Sequence, residues 1–280
     1  MIQTEKPVCP DEQKLPKNVK NQQQRTDILM LLVSLVIFIA GWEIAVRALH
    51  VSPLILPPPS KIGRALWWMS SSGIIVKHLW MTVFETLGGF VVGSAVGIIL
   101  GALIAHSRLL DRVLYPYIVA FQTLPKVAIA PLMILWFGFG VESKIMMSML
   151  ISFFPLLVNT MVGLRSVSQE YVDLMSALAA NPWQAFRYVR FPSALPFIFA
   201  GLEVGIVLSI IGAIVGEFVG ASQGLGYLVM FFNAQLDVSS VFALLVVLGA
   251  LGILMQSAIT WARRRIVFWA AADQSSYKGA

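Results

Sequence analysis

Residues 173–196 read DLMSALAANPWQAFRYVRFPSALP, and this stretch decides how the rest of the chain is arranged. It is the longest segment with polar residues between apolar runs in the C-terminal two thirds of the sequence. Residues 173–180 have helical composition, Asn181-Pro182 is typical of a break, and residues 183–189 can restart a short helix. The stretch therefore predicts a helix, a turn and a helix that lie outside a bilayer.

The composition of the chain indicates a membrane protein. Its 280 residues are 58% hydrophobic and 12% charged, with a mean hydropathy of +0.81, which is too apolar for a soluble domain. The formal net charge of +6 is compatible with binding to nucleic acid, with anionic lipid or with the charge bias of membrane loops. The single cysteine, Cys9, excludes an intramolecular disulfide and a cysteine-based metal site.

Six apolar runs are long enough to cross a bilayer, which takes about 20 residues. They cover approximately residues 28–49, 81–105, 113–139, 145–164, 194–219 and 238–262. Residues 1–27 are polar and predict a mobile cytoplasmic tail, and residues 266–280 predict a second cytoplasmic tail. Residues 28–265 therefore predict an all-α integral membrane domain with six transmembrane helices.

Prolines and glycines subdivide these runs. The third run is expected to be interrupted at residues 124–126 and again at Pro131, because proline removes a backbone donor. Residues 221–237 are too short and too broken to cross, and they predict a partly re-entrant hairpin.

The second run has a glycine at every fourth position, which predicts one flat helix face for close packing in lipid. These residues are Gly89, Gly93, Gly97 and Gly101.

The positions of lysine and arginine orient the chain. If both termini are cytoplasmic, fourteen basic residues fall inside, against five outside at Arg47, Lys61, Arg64, Lys77 and Lys144. This bias follows the positive-inside rule. It places the stretch 173–196 in the cytoplasm, and it explains the basic charge without nucleic acid.

The central stretch resembles the EAA loop of ABC-transporter permeases. The matches are Asp173 for Glu, Leu174 and Met175 for the two Ala, Ala179 for Gly, Val189 for Ile, and Phe191-Pro192 for Leu-Pro. In that family the loop is a coupling helix that docks on the ATP-hydrolysing subunit. The resemblance, which covers a coupling loop over residues 170–192, implies coupling roles for Asp173, Ala179, Ala180, Pro182, Trp183, Phe191 and Pro192.

Apart from its N-terminal tail, the chain resembles ABC importer permeases of the nitrate/sulfonate/taurine type, a group that includes bicarbonate and pyrimidine-precursor systems. Matching stretches are residues 56–59 (LPPP), 109–112 (LLDR), 124–128 (LPKVA), 216–218 (GEF) and 224–228 (GLGYL). The resemblance implies a type I ABC importer permease fold in the bacterial inner membrane. It also implies a homodimer, two ATP-binding subunits, a periplasmic solute-binding protein and a small, anionic solute.

The sequence offers no catalytic chemistry of its own. It lacks the G-x-x-x-x-G-K-[ST] loop that cradles nucleotide phosphates, so ATP and Mg²⁺ are expected on the partner ATPase. No bound cofactor, metal site or catalytic residue is predicted, and the chain is expected to be a transporter subunit rather than an enzyme. A secondary transporter or channel without an ATPase is the alternative, and such a protein has no reason to keep the central helix-turn-helix.

Ionisable residues at membrane depth are costly, and they mark functional candidates. The candidates for a translocation path are Lys126, Glu203, Ser209 and Glu217. A lysine directly after a proline break needs a carboxylate or an anion, so Glu203 and an anionic solute are alternative partners of Lys126. Glu43 and Arg47 are four residues apart and are expected to pair, and Glu85 is expected to be structural.

Overall fold

The protein is described by a computed structural model over residues 17–269, except for the side chains of residues 17–25, 27, 28 and 108. Every regular element in this part of the chain is a helix. The chain divides into two units, Met1–Lys61 and Ile62–Ala280. Cys9 and the tail after residue 269 lie outside the described residues.

The first unit contains helix α1, Lys17–Ala48, whose apolar part Leu29–Ala48 is long enough to span a membrane. The helix begins before the predicted span and includes residues 17–27. Their Lys, Gln and Arg side chains are good helix formers, and they extend a helix that the apolar part has already nucleated. Residues 1–16 of the predicted tail are not described.

The predicted pair on α1 is confirmed. Arg47 Nη2 lies 2.5 Å from Glu43 Oε1, and Glu43 also accepts hydrogen bonds from the backbone N–H and the hydroxyl of Ser60. The acidic side chain thus ties the end of α1 to the start of the next helix, within the first unit.

Ten further α-helices follow α1 in the described chain, together with a short 3₁₀ helix at Lys126–Ile129 and a π-helical turn at Phe186–Arg190. They are α2 Pro59–Ser71, α3 Ile74–His106, α4 Arg108–Thr123, α5 Ala130–Phe137, α6 Val141–Arg165, α7 Gln169–Ala177, α8 Pro182–Ala185, α9 Phe191–Gly220, α10 Leu225–Ala234 and α11 Val238–Ile266. Five helical segments are long and apolar enough to cross a membrane, and α4 with α5 make a sixth if they form one bent span.

The bent pair corresponds to the third predicted span. Leu109–Thr123 and Lys126–Phe137 are inclined by 86°. The break falls at Leu124 and Pro125, which confirms the predicted interruption there. Pro131 does not add a second break, because it lies in the first turn of α5, where a backbone N–H has no acceptor within the helix.

The fifth span is longer than the sequence predicted. The helix that begins at Pro182 continues through a π-helical turn, Phe186–Arg190, into α9. Helical structure is therefore continuous from Pro182 to Gly220. The short helix expected over residues 183–189 therefore does not end. Pro192 and Pro196 have no backbone N–H to donate to the preceding turn of an α-helix. A wider, π-helical turn keeps the chain helical where such hydrogen bonds are missing.

Helices α3, α6 and α9 form the core of the second unit. The four glycines of α3 face α6, where a Cβ built on each would lie 2.7 to 2.9 Å from a backbone carbonyl oxygen. Real Cβ atoms do not approach an oxygen so closely, so only glycine permits this helix separation. The four residues are Gly89, Gly93, Gly97 and Gly101.

Candidate functional site

The segment between α6 and α9 contains α7, a tight turn and α8, and we refer to residues 169–185 as the coupling segment. Ala179 follows α7 with a left-handed φ of +50°. The N–H groups of Ala179 and Ala180 donate to the carbonyls of Ser176 and Met175, each at 3.0 Å. This is how helices end when the next residue is left-handed, and that residue is usually glycine. Ala179 thus occupies the position that glycine usually takes at such a helix end.

The second half of the coupling segment is fixed by its cap. The side chain of Asn181 accepts from the N–H of Gln184 at 2.8 Å, and the side chain of Gln184 accepts from the N–H of Asn181 at 2.8 Å. Pro182 occupies the first turn, where its fixed φ suits a helix start. The turn between α7 and α8 is thus held by reciprocal hydrogen bonds.

The coupling segment presents an apolar surface. None of the residues of α7 and α8 is buried. Leu174, Leu178 and Trp183 are 54%, 67% and 68% exposed. Asp173 is exposed beside them, and its carboxylate accepts from the side-chain amide of Gln169 at 2.9 Å.

Two predicted coupling residues have a different position. Phe191 packs with Phe186 against the buried cluster of Leu164, Ala194 and Ile198. Phe191 and Pro192 are half-buried at the start of α9, so they attach the segment to the core rather than extend its exposed face. The structure therefore separates the predicted set into a surface around Asp173, Ala179, Ala180, Pro182 and Trp183 and an anchor at residues 191–192.

The predicted pairing of Lys126 with Glu203 is not found within the chain. Glu203 Oε2 lies 3.3 Å from Arg263 Nη1 of α11. Lys126 Nζ donates to the carbonyl of Gln122 at 3.0 Å and lies 5.0 Å from the ring centroid of Phe154. The bend at Pro125 turns Lys126 back towards the end of α4, and the carboxylate of Glu203 pairs with Arg263 instead.

Ser209 lies in a closed junction of three helices. Its hydroxyl donates to the carbonyl of Thr86 at 2.8 Å and lies 2.5 Å from the hydroxyl of Ser148. The residue is fully buried. Ser209 therefore does not line an open path in this structure, and its role here is to join α3, α6 and α9.

Glu217 belongs to a polar cluster that the sequence did not reveal as a group. Its carboxylate accepts from the hydroxyl of Thr82 at 2.6 Å and from the N–H of Gly226 at 2.5 Å. Glu85 and Lys144 are buried beside it. The sequence identified both glutamates as ionisable residues in apolar runs, but it placed Lys144 in an outer loop. Like Ser209, Glu217 is closed off from any open path here.

An ion pair joins α4 to α6 near the coupling segment. Arg165 Nη2 lies 2.8 Å from Asp111 Oδ1, and it also approaches the carbonyl of Ile104 at 3.5 Å. Asp111 belongs to the LLDR stretch, whereas Arg165 had no signal beyond its basic charge. Within residues 17–269, no group of three or more His, Cys, Asp or Glu side chains is placed to hold a metal ion.

The long apolar helices, the bent span and the exposed coupling segment define a helical transport permease of the membrane. The chain belongs to the family of binding-protein-dependent transport system inner membrane components, whose model matches residues 93–268. It is accordingly a multi-pass inner-membrane subunit of an ABC importer, and a transport subunit rather than an enzyme. Membership of this family excludes the alternative of a secondary transporter or channel without an ATPase.

Relatives cover nearly the full domain. The chain is 37% identical over 243 residues to the riboflavin transport system permease protein RibX of Chloroflexus aurantiacus, covering 87% of this chain and 91% of that one. It is 35% identical to the formylaminopyrimidine transport permease protein ThiX of Halalkalibacterium halodurans, covering 81% and 90%. It is 31% identical to the putative aliphatic sulfonates transport permease protein SsuC of Bacillus subtilis, covering 87% of each.

Solved structures share the fold. A chain of the inward-facing MetNI methionine ABC transporter superposes with a TM-score of 0.61 at 21% identity, covering 69% of this chain and 95% of that one. A chain of an amino acid ABC transporter gives a TM-score of 0.57 at 16% identity, covering 72% and 96%. The type I ABC importer permease architecture predicted from the sequence is thereby confirmed.

Proposed function

We propose that the coupling segment docks on a separate cytoplasmic ATPase and transmits ATP-driven movements to the membrane helices. The observation that carries this proposal is the exposed apolar surface formed by Leu174, Leu178 and Trp183. Apolar side chains on a hairpin fixed by caps at both halves are typical of a protein contact. The coupling segment is continuous with α9 through α8. A displacement of α8 is therefore transmitted to the core along a single helix.

The proposed orientation has both termini and the coupling segment in the cytoplasm, as the distribution of basic residues favours. Cysteine labelling of intact cells with an impermeant maleimide tests this after replacement of Cys9. We expect Ser60→Cys to be labelled in intact cells and Gln184→Cys only after permeabilisation. Labelling of Gln184→Cys but not Ser60→Cys in intact cells would reverse the assignment.

The proposed working unit is a homodimer with two ATP-binding subunits and a periplasmic solute-binding protein. ATP and Mg²⁺ belong to the ATPase, and this chain binds no cofactor. The position of Lys126 supports the dimer. The residue lies in a membrane-spanning pair of helices yet is only half-buried, and a cation facing lipid is unfavourable. A second copy of the chain would cover this face and enclose a path between the copies.

The proposed solute is a small organic or inorganic anion, or a polar molecule with strong acceptor oxygens. Relatives are named for riboflavin, formylaminopyrimidine and aliphatic sulfonates, and Lys126 supplies a donor without a carboxylate partner among the described side chains. Uptake into proteoliposomes that contain the permease and its ATPase tests the proposal with these solutes. We expect uptake of one of them that requires both internal ATP and the binding protein. Equal uptake without the ATPase would contradict the proposed coupling.

A further inference from the structure

A cavity of about 480 Å³ lies where the coupling segment meets the membrane helices. Helices α3 and α6 end at its wall, at His106 and Arg165, and α7 begins there at Gln169. Arg190, the residue before α9, also lines it. Small-molecule sites in proteins have volumes of about 300–1,000 Å³, so the cavity is large enough to hold a ligand.

The charges that line the cavity do not balance. Asp111 supplies the only carboxylate among the described residues of its wall, and Asp111 Oδ1 lies 2.8 Å from Arg165 Nη2. Arg190 is half-buried, and its guanidinium has no ion pair or hydrogen bond within the part of the chain that the structure describes. Glu170 and Asp173 are exposed on α7 and do not line the cavity. One cation in the wall is therefore left without a counter-charge, which is unfavourable for a partly buried group.

Both guanidinium groups have N–H donors left for a ligand. The contacts of Arg165 with Asp111 and with the carbonyl of Ile104 use only Nη2, so Nε and Nη1 donate no hydrogen bond to a described residue. A guanidinium presents its N–H donors in a planar fork that matches the oxygens of a phosphate. The cavity thus combines an excess of positive charge with the type of donor that binds phosphate well.

The place of the cavity along the membrane helices suits such a ligand. It lies at the ends of two apolar spans, Ile74–His106 and Val141–Arg165, where lipid headgroups and dissolved phosphate compounds are both within reach. Basic pockets between transmembrane helices at a membrane surface bind phosphate-bearing headgroups.

We propose that this cavity is a phosphate-binding site, in which Arg190 and Arg165 donate to the phosphate of an anionic lipid headgroup or of a dissolved phosphate compound. The bound phosphate supplies the counter-charge that Arg190 lacks. Gln169 is the first residue of the coupling segment and Arg190 lies beyond its last, so the ligand joins both connections of the segment to the membrane helices. The site is independent of the transported solute and of ATPase docking.

Native mass spectrometry tests the lipid source, with full-length permease released from nanodiscs that contain equal amounts of phosphatidylglycerol and phosphatidylcholine. We expect the wild type to retain phosphatidylglycerol in preference to phosphatidylcholine, whose choline neutralises its own phosphate. Arg190→Ala should weaken this retention roughly tenfold or more, the loss expected for a charge-assisted hydrogen bond. Arg190→Gln, which removes the charge but keeps most of the side-chain volume, should show the same loss.

Arg187→Ala is the matched control. Arg187 is an exposed arginine of the same π-helical turn and does not line the cavity. Its substitution should leave the retention of phosphatidylglycerol unchanged. Equal losses from Arg187→Ala and Arg190→Ala would overturn the proposal, because they would reflect a general attraction of basic residues to anionic lipid.

Inorganic phosphate tests the dissolved source. It is titrated onto the permease in phosphatidylcholine nanodiscs at constant ionic strength, with chloride as the reference anion, and the denaturation midpoint is measured. A rise in the midpoint that Arg190→Ala abolishes and Arg187→Ala keeps would assign the site to a dissolved phosphate compound. A wild type that shows neither the preference for phosphatidylglycerol nor this rise would overturn the proposal. Loss of ATPase co-purification from Arg190→Ala, with lipid and phosphate binding unchanged, would assign the cavity to the ATPase and overturn the proposal as well.

Discussion

The carboxylate of Glu203 lies 3.3 Å from the guanidinium of Arg263, and this pair joins α9 to α11. Because Glu203 pairs with Arg263, it is not available as the carboxylate partner that the sequence predicted for Lys126. Within the described chain, the contacts of Lys126 are a backbone carbonyl and an aromatic ring. Of the two roles predicted for Lys126, contact with solute is the one that the geometry supports.

We expect Lys126→Ala to weaken solute uptake without destabilising the protein. A hydrogen bond to a charged group contributes about 1.5–3 kcal/mol, which corresponds to a loss of roughly tenfold to a hundredfold in apparent affinity. Uptake kinetics in proteoliposomes measure the effect, and Lys77→Ala serves as the control at an exposed lysine. Lys126→Arg should retain part of the uptake because it keeps the positive charge.

Two results would contradict this role of Lys126. One is wild-type uptake by Lys126→Ala at normal expression. The other is a destabilised Lys126→Ala whose stability is restored by Glu203→Gln, since that result would require the pair that the structure lacks.

The contact between α9 and α6 gives a prediction about packing. A Cβ on Gly212 would lie 2.6 Å from the Cα of Ser148, so the backbones must separate to admit it. We expect Gly212→Ala to lower stability by about 1–3 kcal/mol, the range for an overpacked core. Recovery of monodisperse protein after heating measures the loss.

Gly249 provides the matched control for Gly212. It lies inside α11, and a Cβ there would meet no atom within 4 Å. Gly249→Ala should leave stability unchanged or raise it slightly, because alanine is the better helix former. Equal losses from both substitutions would show that the loss at Gly212 does not come from its close approach to α6.

The sequence predicted the elements that depend on local pattern. Apolar runs of sufficient length became helices, Pro125 marked the break in the third span, and the glycine spacing of α3 identified a packing face. The predicted interruption at Pro131 was wrong, because the effect of a proline depends on where the next helix begins. The wide turn before Pro192 also required the structure, since a proline can either end a helix or distort it.

The polar cluster could be predicted only in part. Glu85 and Glu217 were identified as costly charges in apolar runs, but no local signal indicates that Glu217 accepts a hydrogen bond from Thr82, 135 positions away. Lys144 precedes a predicted span, so the sequence assigns it to the outer loop charges. In the structure, its ammonium donates to three backbone carbonyls. The choice of partner is set by tertiary packing, which is also why Glu203 pairs with Arg263.

Substitutions at Ala179 test whether the ATPase docks on the coupling segment. Ala179→Gly should preserve docking, because glycine suits the left-handed φ of +50°. Ala234→Trp, at the exposed last residue of α10, controls for a bulky side chain elsewhere.

The decisive measurement is the stoichiometry of ATPase that co-purifies with each variant. We expect wild-type stoichiometry for Ala179→Gly and Ala234→Trp. We expect loss of the ATPase from Ala179→Trp, with the permease itself folded and expressed normally, because the indole would hold the coupling segment away from its partner. Co-purification of the ATPase with Ala179→Trp at wild-type stoichiometry would contradict the claim.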